Sequence, residues 1–392
     1  MSAPPTAVPL HTANPSRRLI AIDALRGLVI LFMLLDHVRE TFFLHRQVGD
    51  PMDVATTEPA LFFSRTLAHL CAPVFIFLTG LSAYLYGEKH SGRGAVATFL
   101  FKRGLFLVLL ELTVINFAWT FQFPPTVIYL QVIWAIGISM LALSALVWLP
   151  RGALLALGAV IVAGHNLLDP LHFPEGHALH GLWAVLHDRG WLVWDESLRL
   201  RTSYPVLPWI GVIALGYAAG PWFGSAANSA QRMTRLATAV GVLAALFTAL
   251  RWVNGYGEKP WQQGADGLQT LMSLLNITKY PPSLLFLCLT LALGLALLML
   301  LERQQGRRAV QWLALLGGAP MFFYIVHLYV LKLLYLAALA VFGQNHGAYF
   351  GFDHMYQVWL ATAVLGIALY PAAAWFARLK ARRRDIAWLK YL

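Results

Sequence analysis

Charge is what this sequence has least of. Only 12% of its 392 residues are Asp, Glu, Lys or Arg, about half the share of an ordinary soluble domain. So few charges cannot cover a water-facing surface, which excludes a soluble globular fold. Cysteine is nearly absent. Cys71 and Cys288 are the only two, both inside hydrophobic stretches, which excludes a disulfide framework and a cysteine-built metal site. Acidic residues are scarcer than basic ones, 18 against 29. That excess would suit nucleic acid, but the basic residues lie in short loops between apolar runs and in the tail Arg378–Lys390. They read as residues drawn to anionic headgroups, and no nucleic-acid partner is expected. The proline-rich start lacks the basic-then-apolar order of a cleavable leader, so the first helix is expected to be retained. No internal repeat is visible, which disfavours inverted-repeat transporter architectures.

What the sequence has is hydrophobicity, at 59% of residues. Uncharged runs such as Thr126–Leu149 and Pro282–Leu301 are long enough to cross a hydrocarbon core. A continuous apolar run satisfies its backbone there as a helix. The predicted fold is all-α, a polytopic integral membrane bundle of about ten transmembrane helices whose solvent is the lipid bilayer. Spans are expected near 19–41, 60–86, 97–119, 126–148, 151–168, 204–221, 235–253, 282–301, 312–340 and 356–377. With the N-terminus inside, the inner segments carry 18 basic residues and the outer segments 8. The positive-inside tendency therefore places both termini in the cytoplasm. A tail over 1–18, a transmembrane domain over 19–377 and a basic tail over 378–392 follow. Two long outer segments, 169–203 and 254–281, read as lids or partly ordered linkers.

Ionisable residues inside spans are costly and so are functional candidates. In the first span Asp23 and Arg26 are one turn apart and can pair. Arg26 and His37 are eleven residues apart, which places them on nearly one face and roughly 16 Å apart along the axis. A fixed cation and a titratable base so arranged suit an elongated substrate with a phosphate-bearing end and a reactive end. The bland reading makes Asp23–Arg26 a structural pair and His37 a helix-end residue. In the second span Pro73 removes the backbone donor to the carbonyl of His69, which predicts a bend there. Glu111 lies in the third span, Gln131 in the fourth, and Tyr324, His327 and Lys332 in the ninth, where Lys332 can snorkel outward. His37, His69 and His327 thus fall in the outer half, reached from three spans. Lys102 and Arg103 sit at the inner edge with Arg26. A membrane enzyme taking a cytoplasmic acyl-CoA and acting on an outer acceptor needs this polarity.

Arg26-x10-His37 is similar to the Arg-x10-His signature of the acyltransferase-3 membrane acyltransferases. The wider chain resembles bacterial relatives of the heparan-α-glucosaminide N-acetyltransferase family. The matching pieces are Ile22 to Gly27 with Asp36-His37, Ala72 to Gly80, Tyr129 to Ala135, Tyr204 to Gly211, Thr278 to Pro282, and Gly318 through His327. The resemblance implies an acyl-CoA-dependent O- or N-acetyltransferase with acetyl-CoA as co-substrate and a cytoplasmic CoA tunnel. It also implies a sugar-like amine or hydroxyl acceptor on the far side, and a bacterial inner membrane location. The chain departs from the family around Thr56–Ala60, which holds no histidine, so a covalent acetyl-histidine route there is not carried over. His37 is the candidate general base, with His69, Asp36 and Glu111 as further catalytic candidates. Arg26, Lys102, Arg103, Gln131, Tyr324 and His327 are the candidates for holding acyl-CoA. Asp36 is about 100° round the helix from His37, so a carboxylate partner for the imidazole is sought elsewhere, as at Glu111.

Two other readings compete. Intramembrane Asp, Glu, Arg and His also build proton-coupled secondary transporters. His177, His180 and His187 could hold zinc, although such a loop is more often interfacial, with Trp183, Trp191 and Trp194 at headgroups or on a sugar. No metal is expected. A homodimer is compatible with a sequence that leaves oligomeric state open.

Overall fold

The computed structural model describes residues 20–90, 92–193, 197–383 and 385–391. The predicted tail over 1–18, with Arg17 and Arg18, and Trp194 lie outside the described residues. The first half runs α1 (Ile20–Phe42), α2 (Pro59–Ala68), α3 (Cys71–Lys89), α4 (Arg93–Leu110), α5 (Asn116–Thr120), β1 (Val127–Leu130), α6 (Val132–Leu146) and α7 (Arg151–Gly164). After α8 (His180–Leu186), β2 (Gly190–Val193) and β3 (Arg199–Thr202) come α9 (Leu207–Ala219), α10 (Ser229–Val253) and α11 (Gly267–Leu275). The chain ends with α12 (Leu284–Arg303), α13 (Arg308–Leu316), α14 (Pro320–Phe342) and α15 (Met355–Arg382).

Helix lies under every predicted span, and the protein is an all-α polytopic membrane bundle apart from one small sheet. Among the described residues six stretches are long and apolar enough to cross a membrane alone: Pro59–Lys89, Arg151–Leu168, α10, α12, α14 and α15. Local chemistry sets the ends. Ser283 caps α12 by accepting the Phe286 N–H at 3.0 Å, Asn228 and Asp266 cap α10 and α11 in the same way, and Pro320 opens α14. The helix breaks at His69–Leu70, between α2 and α3, where Pro73 cannot donate to the His69 carbonyl. Three further predicted spans are interrupted. The segment 126–148 starts as strand β1, the third contains a π-helical turn over Glu111–Ile115, and the ninth divides at Gly317–Ala319. β1 pairs parallel with β3, and β2 antiparallel with β3. Backbone that leaves the helix is thus taken up by strand pairing.

Helix α1 is the axis of the bundle, packed by α2, α3, α12, α13, α14 and α15. Its crossing with α13 is backbone to backbone. A Cβ on Gly27 would stand 2.0 Å from the Leu313 carbonyl oxygen, and one on Gly317 1.9 Å from that of Asp23. Such close crossings are how helices associate in lipid, where apolar burial gives little drive. Because α1 is enclosed by protein, its Asp23, Arg26, Asp36, His37 and Arg39 avoid hydrocarbon. The apolar faces of α10, α14 and α15 are exposed instead, as at Val242, Val341 and Ile367, and these meet the lipid.

Candidate active site

One cavity of about 660 Å³ runs through the bundle alongside α1. At one end it is lined by Arg26, Ser82, Arg103 and Lys380; at the other by Asp36, Glu40, Asp50, Arg65, Arg189 and Lys279. His37, Gln131 and Tyr324 line the path between. The face shared by Arg26 and His37 is therefore one wall of a single chamber.

His37 is held by another histidine. Its Nδ1 lies 2.6 Å from His327 Nε2, and His327 Nδ1 lies 2.7 Å from the Phe323 carbonyl oxygen. A carbonyl only accepts, so His327 Nδ1 carries a proton. With the imidazole neutral, His327 Nε2 is then an acceptor. His37 Nδ1 must donate to it, which leaves the lone pair on His37 Nε2. The pair of bonds selects one tautomer, as second-ring partners of functional histidines commonly do. The two rings are nearly parallel, at 8°, and the edges of Trp119 and Tyr324 pack on His37. His37 Nε2 makes no hydrogen bond among the described residues.

At the opposite end Arg26 Nη1 bonds Asp23 at 2.9 Å, and Nη2 bonds the Ser82 hydroxyl at 2.5 Å. The guanidinium thus bridges α1 and α3. Arg103 from α4, Lys380 from α15, and Gly317, Gly318 and Pro320 at the start of α14 complete this end. Converging cations and a helix N-terminus form a ready site for phosphate groups.

The His37 end is finished by loops rather than helices. Asp50 accepts the Lys279 N–H at 3.1 Å. Glu258 accepts the Thr278 N–H, the Thr278 hydroxyl and the Ser283 hydroxyl, each at 2.6 Å. Arg251 donates to the carbonyls of Leu274, Lys259 and Asn276. These bonds fix Lys279 and Tyr280 over the cavity. Tyr280 donates to the Tyr204 hydroxyl at 3.1 Å, and Arg189 lies 4.8 Å from the Tyr280 ring centroid. Burial pushes the Asp50 carboxyl above its ordinary pKa. Burial works against the Lys279 ammonium, but Tyr280 and Asp36 outweigh it and raise its pKa.

The predicted residues divide. Arg26, Asp36, His37, Arg103, Gln131 and Tyr324 all line the cavity, and His327 stands behind His37. Asp36 is engaged by Arg39 at 2.8 Å. His69 does not line the cavity; it is 2% exposed, against Phe286, with both ring nitrogens unpartnered among the described residues. Glu111 also lies off the cavity and accepts the Trp134 N–H at 3.0 Å, so it caps the start of α6, and the partner of His37 is His327 instead. Lys102 is exposed and points away from the cavity. On the long loop, His177 Nδ1 accepts the Leu179 N–H, and His180 Nδ1 meets the Phe173 carbonyl. His187 meets Asp169, Asp188 and the His165 carbonyl. No group of three candidate metal ligands forms among the described residues.

Arg65, Arg189 and Lys279 were not singled out by the sequence. Arg65 had a signal, because it lies inside the predicted span 60–86. Lys279 lies in the family-matching piece Thr278 to Pro282 but was given no role there, and Arg189 had no signal, since it sits in a segment whose path depends on the folded loops.

The chain matches the family described as heparan-alpha-glucosaminide N-acetyltransferase, catalytic, over residues 18–250, more than half its length. No curated protein matches it. The matched part holds Arg26, Asp36, His37, Arg65 and Arg103, whereas Lys279, Tyr324 and His327 come from beyond it. An integral membrane bundle, a chamber running along its central helix and this match lead to one conclusion: the chain belongs to the heparan-α-glucosaminide N-acetyltransferase catalytic family.

Proposed function

We propose that this protein moves an acetyl group from acetyl-CoA to an amine or hydroxyl acceptor, with His37 as general base. The supporting observation is the single cavity joining the Arg26–Arg103–Lys380 end to His37, whose Nε2 lone pair is set by His327. The phosphate-rich part of acetyl-CoA binds at the cationic end, on the cytoplasmic side by the positive-inside tendency. Its acyl thioester extends along α1 to His37. The acceptor enters from the other side and meets the thioester carbonyl carbon there.

The chemistry balances without a further reagent. The acceptor N or O lone pair attacks the carbonyl carbon while His37 Nε2 takes the acceptor proton. The carbon–sulfur bond of the tetrahedral adduct then breaks, and the imidazolium returns the proton to the leaving sulfur. The products are the acetylated acceptor and CoA thiol. Two features of this chain favour the step: a base in one tautomer, and a chamber that keeps both substrates in line. A bacterial inner membrane fits this layout.

Isolated membranes carrying the protein test the reading. Acetyl-CoA-dependent acetylation of supplied sugar amines, lost in His37→Ala, is expected. Solute uptake or efflux that proceeds without any CoA dependence would contradict it and favour transport.

A further inference from the structure

Arg65 is a buried charged residue with carboxylates nearby and no direct ion pair among the described residues. It projects from α2, is only 7% exposed, and still lines the cavity near Asp36. Its Nε is buried without a hydrogen-bond partner, and among the described residues it forms no ion pair within 4.0 Å. Asp36, Asp50 and Glu40 act on it at longer range, but a buried guanidinium N–H left without an acceptor is costly. Other buried arginines here are satisfied: Arg39 holds Asp36 and Glu40, Arg232 holds Glu302, and Arg251 holds three carbonyls.

Two of the three carboxylates around Arg65 are already paired. Asp36 and Glu40 pair with Arg39, and Asp50 accepts the Lys279 backbone N–H. Lys279 reaches Asp36 at 4.0 Å and stands over the rings of Tyr280 and Tyr204. Arg189 has the Tyr280 ring beneath it and no ion pair among the described residues. Three cations from three separate segments thus face the His37 end of the cavity, and Arg65 makes no direct pair with the acids beside them, of which Asp36 and Glu40 are held by Arg39.

Building on the acetyl-transfer reading, we propose that Arg65, with Lys279 and Arg189, forms a subsite for one anionic group on the acceptor. A phosphate or carboxylate on the acceptor meets the Arg65 guanidinium, which is shaped for two parallel hydrogen bonds to such oxygens. Anchoring that group turns the acceptor's amine or hydroxyl toward His37. The subsite lies at the opposite end of the cavity from the cations that take the CoA phosphates, so the two anionic substrates do not compete for one site.

The experiment compares binding of glucosamine and glucosamine 6-phosphate to purified protein saturated with CoA, which cannot transfer an acyl group. The 6-phosphate is expected to bind about 10- to 100-fold more tightly. Arg65→Gln should abolish that preference while CoA still binds, and Arg65→Lys should keep part of it. Should Arg65→Gln fail to fold, Arg189→Gln, at an exposed position, is expected to reduce the preference instead. Equal binding of the two sugars, binding of neither, or a preference that survives in both glutamine variants would overturn the subsite. Failure of CoA itself to bind wild type would remove the donor reading, while the comparison of the two sugars is still read on the CoA-free protein.

Discussion

The two ends of the cavity are built by different means. The Arg26 end is made by side chains on four helices, α1, α3, α4 and α15, with the start of α14 between them. The His37 end takes Asp36, His37, Glu40 and Arg65 from helices, but its Asp50, Arg189, Lys279 and Tyr280 come from loops stitched by Glu258, Arg251 and Asn276. A helix-built pocket presents fixed charges at set spacings, which suits an invariant cofactor end. A loop-built pocket can differ between chains without disturbing the bundle, which suits the substrate that varies. On the proposed acetyl-transfer reading, donor recognition falls to the scaffold and acceptor recognition to its connections.

Removing the base should give the largest effect. His37→Ala is predicted to lower acetyl transfer about 10²- to 10⁴-fold, measured as CoA thiol release in reconstituted protein. At the other end, Arg26→Ala is predicted to weaken acetyl-CoA binding about 10- to 100-fold. Lys102→Ala, altering a neighbouring cation that faces away from the cavity, should change it less than about twofold. Equal losses in the two variants would break the assignment of that end. Glu111 sharpens the contrast between site and support. Glu111→Ala removes the acceptor for the Trp134 N–H and is predicted to cost about 1–3 kcal/mol of stability, read from thermal unfolding in detergent. Glu111→Gln, which keeps an acceptor oxygen, should restore most of it.

The smallest effect concerns the loop end alone. Burial lowers the His187 pKa, but hydrogen bonds with Asp169 and Asp188 outweigh it and leave the pKa raised. A raised folded pKa means the contribution is complete below the ordinary histidine value, about 6.5, and is lost as pH rises through the higher folded value. Hydrogen exchange in 169–188 should therefore quicken as pH climbs past that point, beyond the intrinsic chemical rate. His187→Gln should remove this pH dependence, and exchange around Arg26 should not follow it.

The helix-built end was largely legible in the sequence, because 3.6-residue periodicity fixes which side chains share a face. Arg26 and His37 needed only that rule, and Tyr324 and His327 followed from position along a span. Lys102 shows its limit. Adjacent residues Lys102 and Arg103 share a charge but not a face, and only the packing of α4 decides which one enters the cavity. His69 and His37 were level by counting, yet the break at His69–Leu70 sends His69 against Phe286. Glu111 read as a catalytic carboxylate because intramembrane acids usually are functional; capping a helix that starts within the bundle is a need visible only once β1 has displaced the first turn of the predicted span. At the other end Asp36 and His37 were legible on the first helix, but the loop residues were seen only as the family-matching piece Thr278 to Pro282, with no role. The loop residues are brought together by long-range bonds such as Asn276 to Met52, for which no local pattern exists.

The central claim is that donor binding and proton transfer occupy opposite ends of one chamber. Equilibrium binding of acetyl-CoA to purified wild type, Arg26→Ala and His37→Ala tests it most directly. Wild type and His37→Ala are predicted to bind comparably, whereas Arg26→Ala is predicted to bind far more weakly. Absence of binding to folded wild type, or a loss in His37→Ala as large as that in Arg26→Ala, would contradict it.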